Sequence, residues 1–146
     1  MKLTIQLNAT NLPNVAGAFK GISDPFAVIT LLSTSRESTL SIIGETEVQK
    51  NTLNPDWTKT FTIDHRLGTP TKILIKIFDR VRKKDANIAM GSAVFDVNAV
   101  LGAKGSTMAK KMKNGGLIFV KLISQEVERH DNAGDEQTED ALPPAP

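Results

Sequence analysis

Two loop-borne polar groups and one run of cations are the residues of this 146-residue chain whose types and spacing can do chemistry. Asp24 stands in Ile22-Ser23-Asp24-Pro25-Phe26-Ala27-Val28, immediately before a proline. A proline pushes the residue before it into an extended conformation and has no backbone donor, so the Asp24 carboxylate is presented from a loop as a strand begins. Asn54-Pro55 does the corresponding job within Thr46-Glu47-Val48-Gln49-Lys50-Asn51-Thr52-Leu53-Asn54-Pro55-Asp56-Trp57, and Asn54 is expected to cap the backbone where the next strand starts. The cations are Arg80, Arg82, Lys83 and Lys84, set around Val81. Each basic side chain held near an anionic leaflet contributes about 1 kcal/mol, so four can hold weakly without help. Phe19, Lys20 and Ile22 stand between small residues. Such a loop tip can slide an apolar group into lipid headgroups while its lysine stays at the interface.

Short strands must position these groups. Leu3, Ile5 and Leu7 alternate with polar residues; Phe26 to Leu32 is a mostly apolar run; Trp57, Lys59, Phe61 and Ile63 repeat at period two. Lys72 to Phe78 and Leu117 to Ile123 are rich in β-branched and aromatic residues and read as buried sheet. Glu45 to Lys50, Met90 to Phe95 and Thr107 to Met112 complete the set, with a short helical turn at Val97 to Leu101. Eight short strands between turn-rich loops predict an all-β fold, an eight-stranded antiparallel sandwich over residues 1–125. Its core draws on Leu3, Ile5, Leu7, Val28, Phe61, Ile75, Ile77, Phe95, Phe119 and Val120. Adjacent Phe119 and Val120 cannot both face one side of a regular strand, so one of them needs other cover.

The two phrases around Asp24 and Asn54 resemble those of the C2 domain, a β-sandwich module that docks on membranes, over roughly residues 1–124. The phrase Thr46 to Trp57 is similar to that in the C2 domains of copines. Gly116-Leu117-Ile118-Phe119-Val120-Lys121-Leu122 resembles a strand that the family carries either early or, in its circularly permuted variant, last; here it comes last. The resemblance therefore implies the permuted topology, with that strand beside Lys2 to Asn8.

The resemblance also implies a calcium site, because C2 domains that use calcium gather acidic ligands from two loops, as a hard cation with six to eight oxygen ligands requires. Asp24 and Asp79 match two of those positions. The other loop-one acid is missing from Val15 to Gly17, Val81 replaces a further aspartate, and the third position of the later loop falls on Asn87, with Asp85 two residues before it. With Arg80, Arg82, Lys83 and Lys84 crowding the same loop, calcium binding is expected to be weak or absent. The expected role is a peripheral module or single-domain adaptor on anionic phospholipid. A calcium-dependent C2 domain, or an interaction module gripping an acidic protein partner, are the alternatives. Without calcium, Asp24 reads as a turn residue capping its own loop, and Asp79 as a strand-end acid paired with a neighbouring cation.

Composition narrows the classes further. Residues 126 to 146 hold seven acids and one base, so within a net charge of +2 the first 125 residues carry +8. That acidic, proline-ending stretch lacks periodicity and is expected to stay disordered. Lys104, Lys110, Lys111 and Lys113 form a second basic group. The N-terminus alternates and has no long apolar run, and cysteine is absent, so a cytoplasmic, peripheral membrane location is expected. Catalysis is not expected: there is no cysteine or tyrosine, His65 falls on a loop and His130 in the tail, and no phosphate-cradling glycine loop occurs. With one tryptophan and no tyrosine, stacking platforms for nucleic acid are scarce.

Overall fold

The computed structural model describes residues 1–17, 21–32, 40–66, 68–81 and 87–127, with only the backbone for Leu40. The alternating sequences become β1 (Lys2–Thr10), β2 (Pro25–Leu32), β3 (Leu40–Glu45), β4 (Asp56–Asp64), β5 (Lys72–Asp79), β6 (Ile88–Asp96), β7 (Thr107–Lys111) and β8 (Leu117–Glu126). They form two four-stranded sheets, β4-β1-β8-β7 and β3-β2-β5-β6, with every pairing antiparallel. β8 lies beside β1, with Leu7 opposite Val120 and Asn8 opposite Phe119, as the sequence expectation required. The helical turn is α1 (Val97–Gly102), begun by Asp96, whose carboxylate accepts from the Asn98 amide at 2.9 Å.

The inner faces are supplied by the alternating positions. Leu3, Ile5 and Leu7 of β1 meet Ile73, Ile75 and Ile77 of β5 in one core with Trp57, Phe61, Phe95 and Val120. Each large apolar side chain so buried contributes about 1.5–3 kcal/mol. Trp57 is wholly buried and its indole N–H donates to the Pro25 carbonyl at 3.2 Å, so the ring fills the core without leaving its one donor unpaired. Of the adjacent pair in β8, Val120 points inward and Phe119 is half-buried on the outside. Val28 is likewise half-buried, because the inner positions of β2 belong to its neighbours Ala27 and Ile29.

Residues 46–50 are not a strand. β3 ends at Glu45, and the chain beyond it stays against β2 by isolated bonds, Thr46 N to Ala27 O at 2.8 Å and Gln49 N to Pro25 O at 3.0 Å, while its side chains serve β4. The Glu47 carboxylate accepts from the Thr58 amide at 2.6 Å, the Thr58 hydroxyl at 2.8 Å and the Lys59 amide at 3.2 Å. Asn54 does cap backbone, but not at its own strand. Its Oδ1 accepts from the amide of Asn11 at 2.8 Å, where the chain leaves β1 with a positive φ of 52°. The amides of Ala9 and Leu12 donate to the carbonyls of Pro55 and Leu53 on either side of that contact. Gly116 closes the same corner. Its φ is +90°, and a Cβ there would stand 2.9 Å from the Asn11 carbonyl oxygen.

His65 lies at the opposite end of the sandwich, buried rather than in an open loop. Its ring nitrogens bond the Thr71 hydroxyl at 3.0 Å and the Asn98 amide oxygen at 2.9 Å, which fastens the β4–β5 connection to α1.

Two outcomes check these local structures. Asn54→Ala removes the Asn11 cap and should destabilise the domain by about 1 kcal/mol, read by urea unfolding; an unchanged midpoint would make the contact incidental. For Glu47, partial burial of the carboxylate works to raise its pKa, but the amides of Thr58, Glu47 and Lys59 and the Thr58 hydroxyl outweigh it and lower the group from 4.5 to about 2. A carboxyl depressed in the folded state stabilises fully above its unfolded value and loses that contribution as the pH falls toward the folded one. Between pH 4.5 and about 2, Glu47→Gln should therefore lose stability less steeply than the parent chain; parallel acid limbs would contradict the assignment.

Candidate functional site at the loop end

Antiparallel pairing brings four connections to one end of the sandwich: those after β1, β3, β5 and β7. The central strands β2 and β5 place Asp24 and Asp79 there, since Pro25 pairs with Asp79 and Phe26 with Phe78. The two acids meet through the backbone. The Asp24 amide donates to Asp79 Oδ1 at 2.8 Å, the Arg80 amide donates to the Asp24 carbonyl at 3.0 Å, and Asp24 Oδ1 accepts from the Asn51 amide at 2.8 Å. Asp24 thus caps a turn 27 residues away rather than its own loop. Asp79, only 5% exposed, accepts from a backbone amide, and among the described residues no cation lies within ion-pair distance of it.

The first loop is closed from within. Asn14 Oδ1 accepts from the Ser23 amide at 3.1 Å and the Ser23 hydroxyl at 3.0 Å, Asn14 Nδ2 donates to the Gly21 carbonyl at 2.9 Å, and Ser23 Oγ accepts from the Val15 amide at 3.0 Å. An amide and a hydroxyl gather this loop at the stretch where the family resemblance implies an acid. In the later loop, Asn87 Oδ1 accepts from the Val81 amide at 3.2 Å, so that oxygen also holds backbone. Asp85 of the expected metal set lies outside the described residues, as do Phe19, Lys20, Arg82, Lys83, Lys84 and the tail beyond Val127. Among the described residues no group of three His, Cys, Asp or Glu is placed to hold a metal ion. Asp24 and Asp79 each have one oxygen already engaged, and calcium needs six to eight. The described donors alone do not make up a tight calcium site.

Arg80 is drawn back onto the sheet. Its guanidinium lies 4.4 Å above the Phe26 ring and 3.6 Å from the Glu45 carboxylate, and Phe26 stacks on Phe78 at 5.7 Å. Ile22 stands 44% exposed at this end, and Ile88 matches it at 44%, directly across from Asp79 in the β5–β6 ladder. Sequence reasoning passes over Ile88, which opens an ordinary strand; its signal is an apolar residue close behind a charged loop. The second basic group divides: Lys111 and Lys113 stand at the loop end, Lys104 stands at the far end, and Lys110 folds over the Phe95 ring at 6.0 Å. A shallow cleft of about 420 Å³ at the outer face of β1 is lined by the amides of Gln6, Asn8 and Asn54, the Thr10 hydroxyl, Asp56, and Lys121 of β8.

A family model described as C2 domain matches residues 2–112, from β1 through β7. Among curated proteins, the chain is 26% identical over 101 residues to Protein BONZAI 2 of Arabidopsis thaliana, an alignment covering 62% of this chain and 17% of that protein. Among solved structures, it is similar to a C2 domain of plant Extended Synaptotagmin 1, with a TM-score of 0.62, 17% identity, and coverage of 85% of this chain and 96% of that one. It also resembles a calcium-bound pair of C2 domains from Extended Synaptotagmin 2 at a TM-score of 0.60, with 19% identity over 83% of this chain and 45% of that one. Human GIVD cytosolic phospholipase A2 aligns at a TM-score of 0.59 with 17% identity, over 83% of this chain and 16% of that one. At such identities the likeness to these structures is one of fold. No helix among the described residues is long and apolar enough to cross a membrane.

The acceptor role of Asp79 can be separated from its charge. Asp79→Ala leaves the Asp24 amide without its acceptor and should cost about 1–3 kcal/mol in urea unfolding, whereas Asp79→Asn keeps an oxygen there and should cost clearly less. Equal losses in the two variants would show that charge, not acceptance, is what the fold requires.

Proposed function

The chain belongs to the C2 domain family, and on that premise we propose that it docks peripherally on anionic membranes through the loop end, with calcium not serving as the bridge. The observation that carries this reading is the pair Ile22 and Ile88, each 44% exposed, Ile22 two residues before Asp24 and Ile88 opening β6 opposite Asp79. Two branched apolar groups held on a rigid rim can enter the headgroup region, where each buried CH₂ contributes about 0.8 kcal/mol. The cations for the anionic surface are Arg82, Lys83 and Lys84. Arg80, whose guanidinium rests against Phe26 and Glu45 while staying half-exposed, is a fourth and constrained cation.

Asn14, Ser23, Asn51 and Asn87 tie the described bases of these loops by hydrogen bonds that use no ion. We assign the domain no catalysis. Its work is positioning, as an adaptor or as the targeting segment of a larger assembly.

Sedimentation with phosphatidylserine vesicles tests the proposal. Binding should survive chelator and survive Asp24→Asn and Asp79→Asn, which keep the acceptor oxygens while removing the charges a cation would need. It should be lost in Ile22→Asp with Ile88→Asp and in Arg82→Glu with Lys83→Glu, and should weaken as salt rises, because exposed charges are screened within about 8 Å at physiological ionic strength. Binding that requires calcium, or that ignores the isoleucine pair, would overturn it.

A further inference from the structure

The two outer faces of the sandwich differ in kind. That of β4-β1-β8-β7 carries Thr4, Gln6, Asn8, Thr60, Thr62 and Lys121 around a half-buried Phe119, a mainly polar surface. On β3-β2-β5-β6, register places one row across four strands that is apolar on β3, β5 and β6 and carries a threonine on β2. Thr30 stands opposite Ile42 on one side and Leu74 on the other, and Leu74 stands opposite Val94. Thr30 and Leu74 are covered by their neighbours, but the ends of the row are open, with Ile42 72% exposed and Val94 37% exposed. Ile42 is also on an edge strand, the last place a solitary domain benefits from a bare isoleucine.

Charges frame this row. Outward positions of β5 alternate Lys72, Leu74 and Lys76, so one lysine stands on each side of the row. Neither lysine has a carboxylate within ion-pair distance among the described residues. The nearest acids on the face are engaged elsewhere: Asp96, opposite Lys72, caps α1, and Glu45 pairs with Arg80.

Dimensions select the occupant. Four residues of strand at about 3.3 Å each set Lys72 and Lys76 about 13 Å apart, and an α-helix with its side chains is about 10–12 Å wide. Three strand spacings of about 4.8 Å set Ile42 and Val94 about 14 Å apart, which is about nine or ten residues of helix at about 1.5 Å per residue. A helix laid across the strands along this row would keep a lysine on each flank. We propose that this face is a docking surface for an amphipathic helix of a partner protein, whose apolar stripe at i, i+3, i+4 and i+7 is bordered on both sides by acidic residues. The lysines supply register and favour acids over bases, and the row supplies the buried area.

The test uses the full chain and two fluorescent synthetic peptides of about 18 residues, one with leucines in such a stripe flanked by glutamates and one of identical composition scrambled to destroy the stripe. Anisotropy titration should show the striped peptide binding at least about tenfold more tightly than the scrambled one. Lys72→Glu with Lys76→Glu, and separately Ile42→Asp, should each remove most of that preference. Those positions are exposed or at a sheet edge, so melting temperature and phosphatidylserine vesicle sedimentation should stay at the parent values; this keeps the result distinct from docking at the loop end. Equal binding of the two peptides would overturn the proposal, as would a preference that survives the charge reversal. If the charge reversal abolishes vesicle binding, the face meets lipid instead; if Ile42→Asp dissolves a dimer seen by sedimentation velocity, its occupant is a second copy. Either result also overturns it.

Discussion

Asp79 ends a central strand with a carboxylate at the parity of its three preceding inward neighbours, Ile73, Ile75 and Ile77, which point into the core. A charge so placed must find donors where it stands, because desolvating it unpaired costs several kcal/mol. The donor is the amide of Asp24, and that bond fixes where β2 begins. Asp24 in turn offers its own carboxylate to Asn51, which fixes the connection between β3 and β4. That connection carries Glu47 and Asn54 to β4 and to the end of β1. One buried acid therefore orders, by successive hydrogen bonds, three of the connections at the loop end, and the two sheets are tied there by something more directional than apolar packing.

The strands are legible in the sequence because alternation is a local signal. Period-two patterns alone place β1, β5 and β8 to within a few residues, and β8 beside β1 follows from the order of the strands. The failures come from where neighbours decide. Residues 46–50 have strand-forming composition, but only scattered amides of that segment reach β2, and the side chain of Glu47 is worth more as a four-donor acceptor than as a rung of a ladder. Val28 and Phe119 are apolar on outer faces. Nothing in a run such as Phe26 to Leu32 states which parity faces inward; only the partner sheet settles it.

The site is legible by residue type and illegible by partner. Asp24 and Asp79 stand out as loop-end carboxylates, and they do meet, but their acceptor roles depend on amides 55 and 27 residues distant along the chain. Asn14 and Ser23 carry no signal that distinguishes them from other loop residues, since the clasp they form is a pairing across nine positions. Arg80 reads in sequence as one more cation of a basic run. It stands one residue past the end of β5 and shares the parity of Phe78, and that parity lays it on Phe26. A period-two count extended beyond the strand is the signal that ties Arg80 to the aromatic face.

The loop end and the sheet face are nearly perpendicular surfaces of one sandwich, and that geometry lets them act together. In the docking proposed above, a membrane met by Ile22 and Ile88 would run across the ends of the strands, leaving the row from Ile42 to Val94 in water. The chemistry of each surface suits its direction. The rim needs short apolar groups and long cationic side chains, because lipid is fluid and accepts any register; the sheet face needs a fixed lysine spacing, because a helix does not. The outer face of β4-β1-β8-β7 is dressed mainly in threonine and amide side chains around Phe119 and Lys121. A C2 fold arranged in this way can hold a partner at a membrane without either contact having to deform the other.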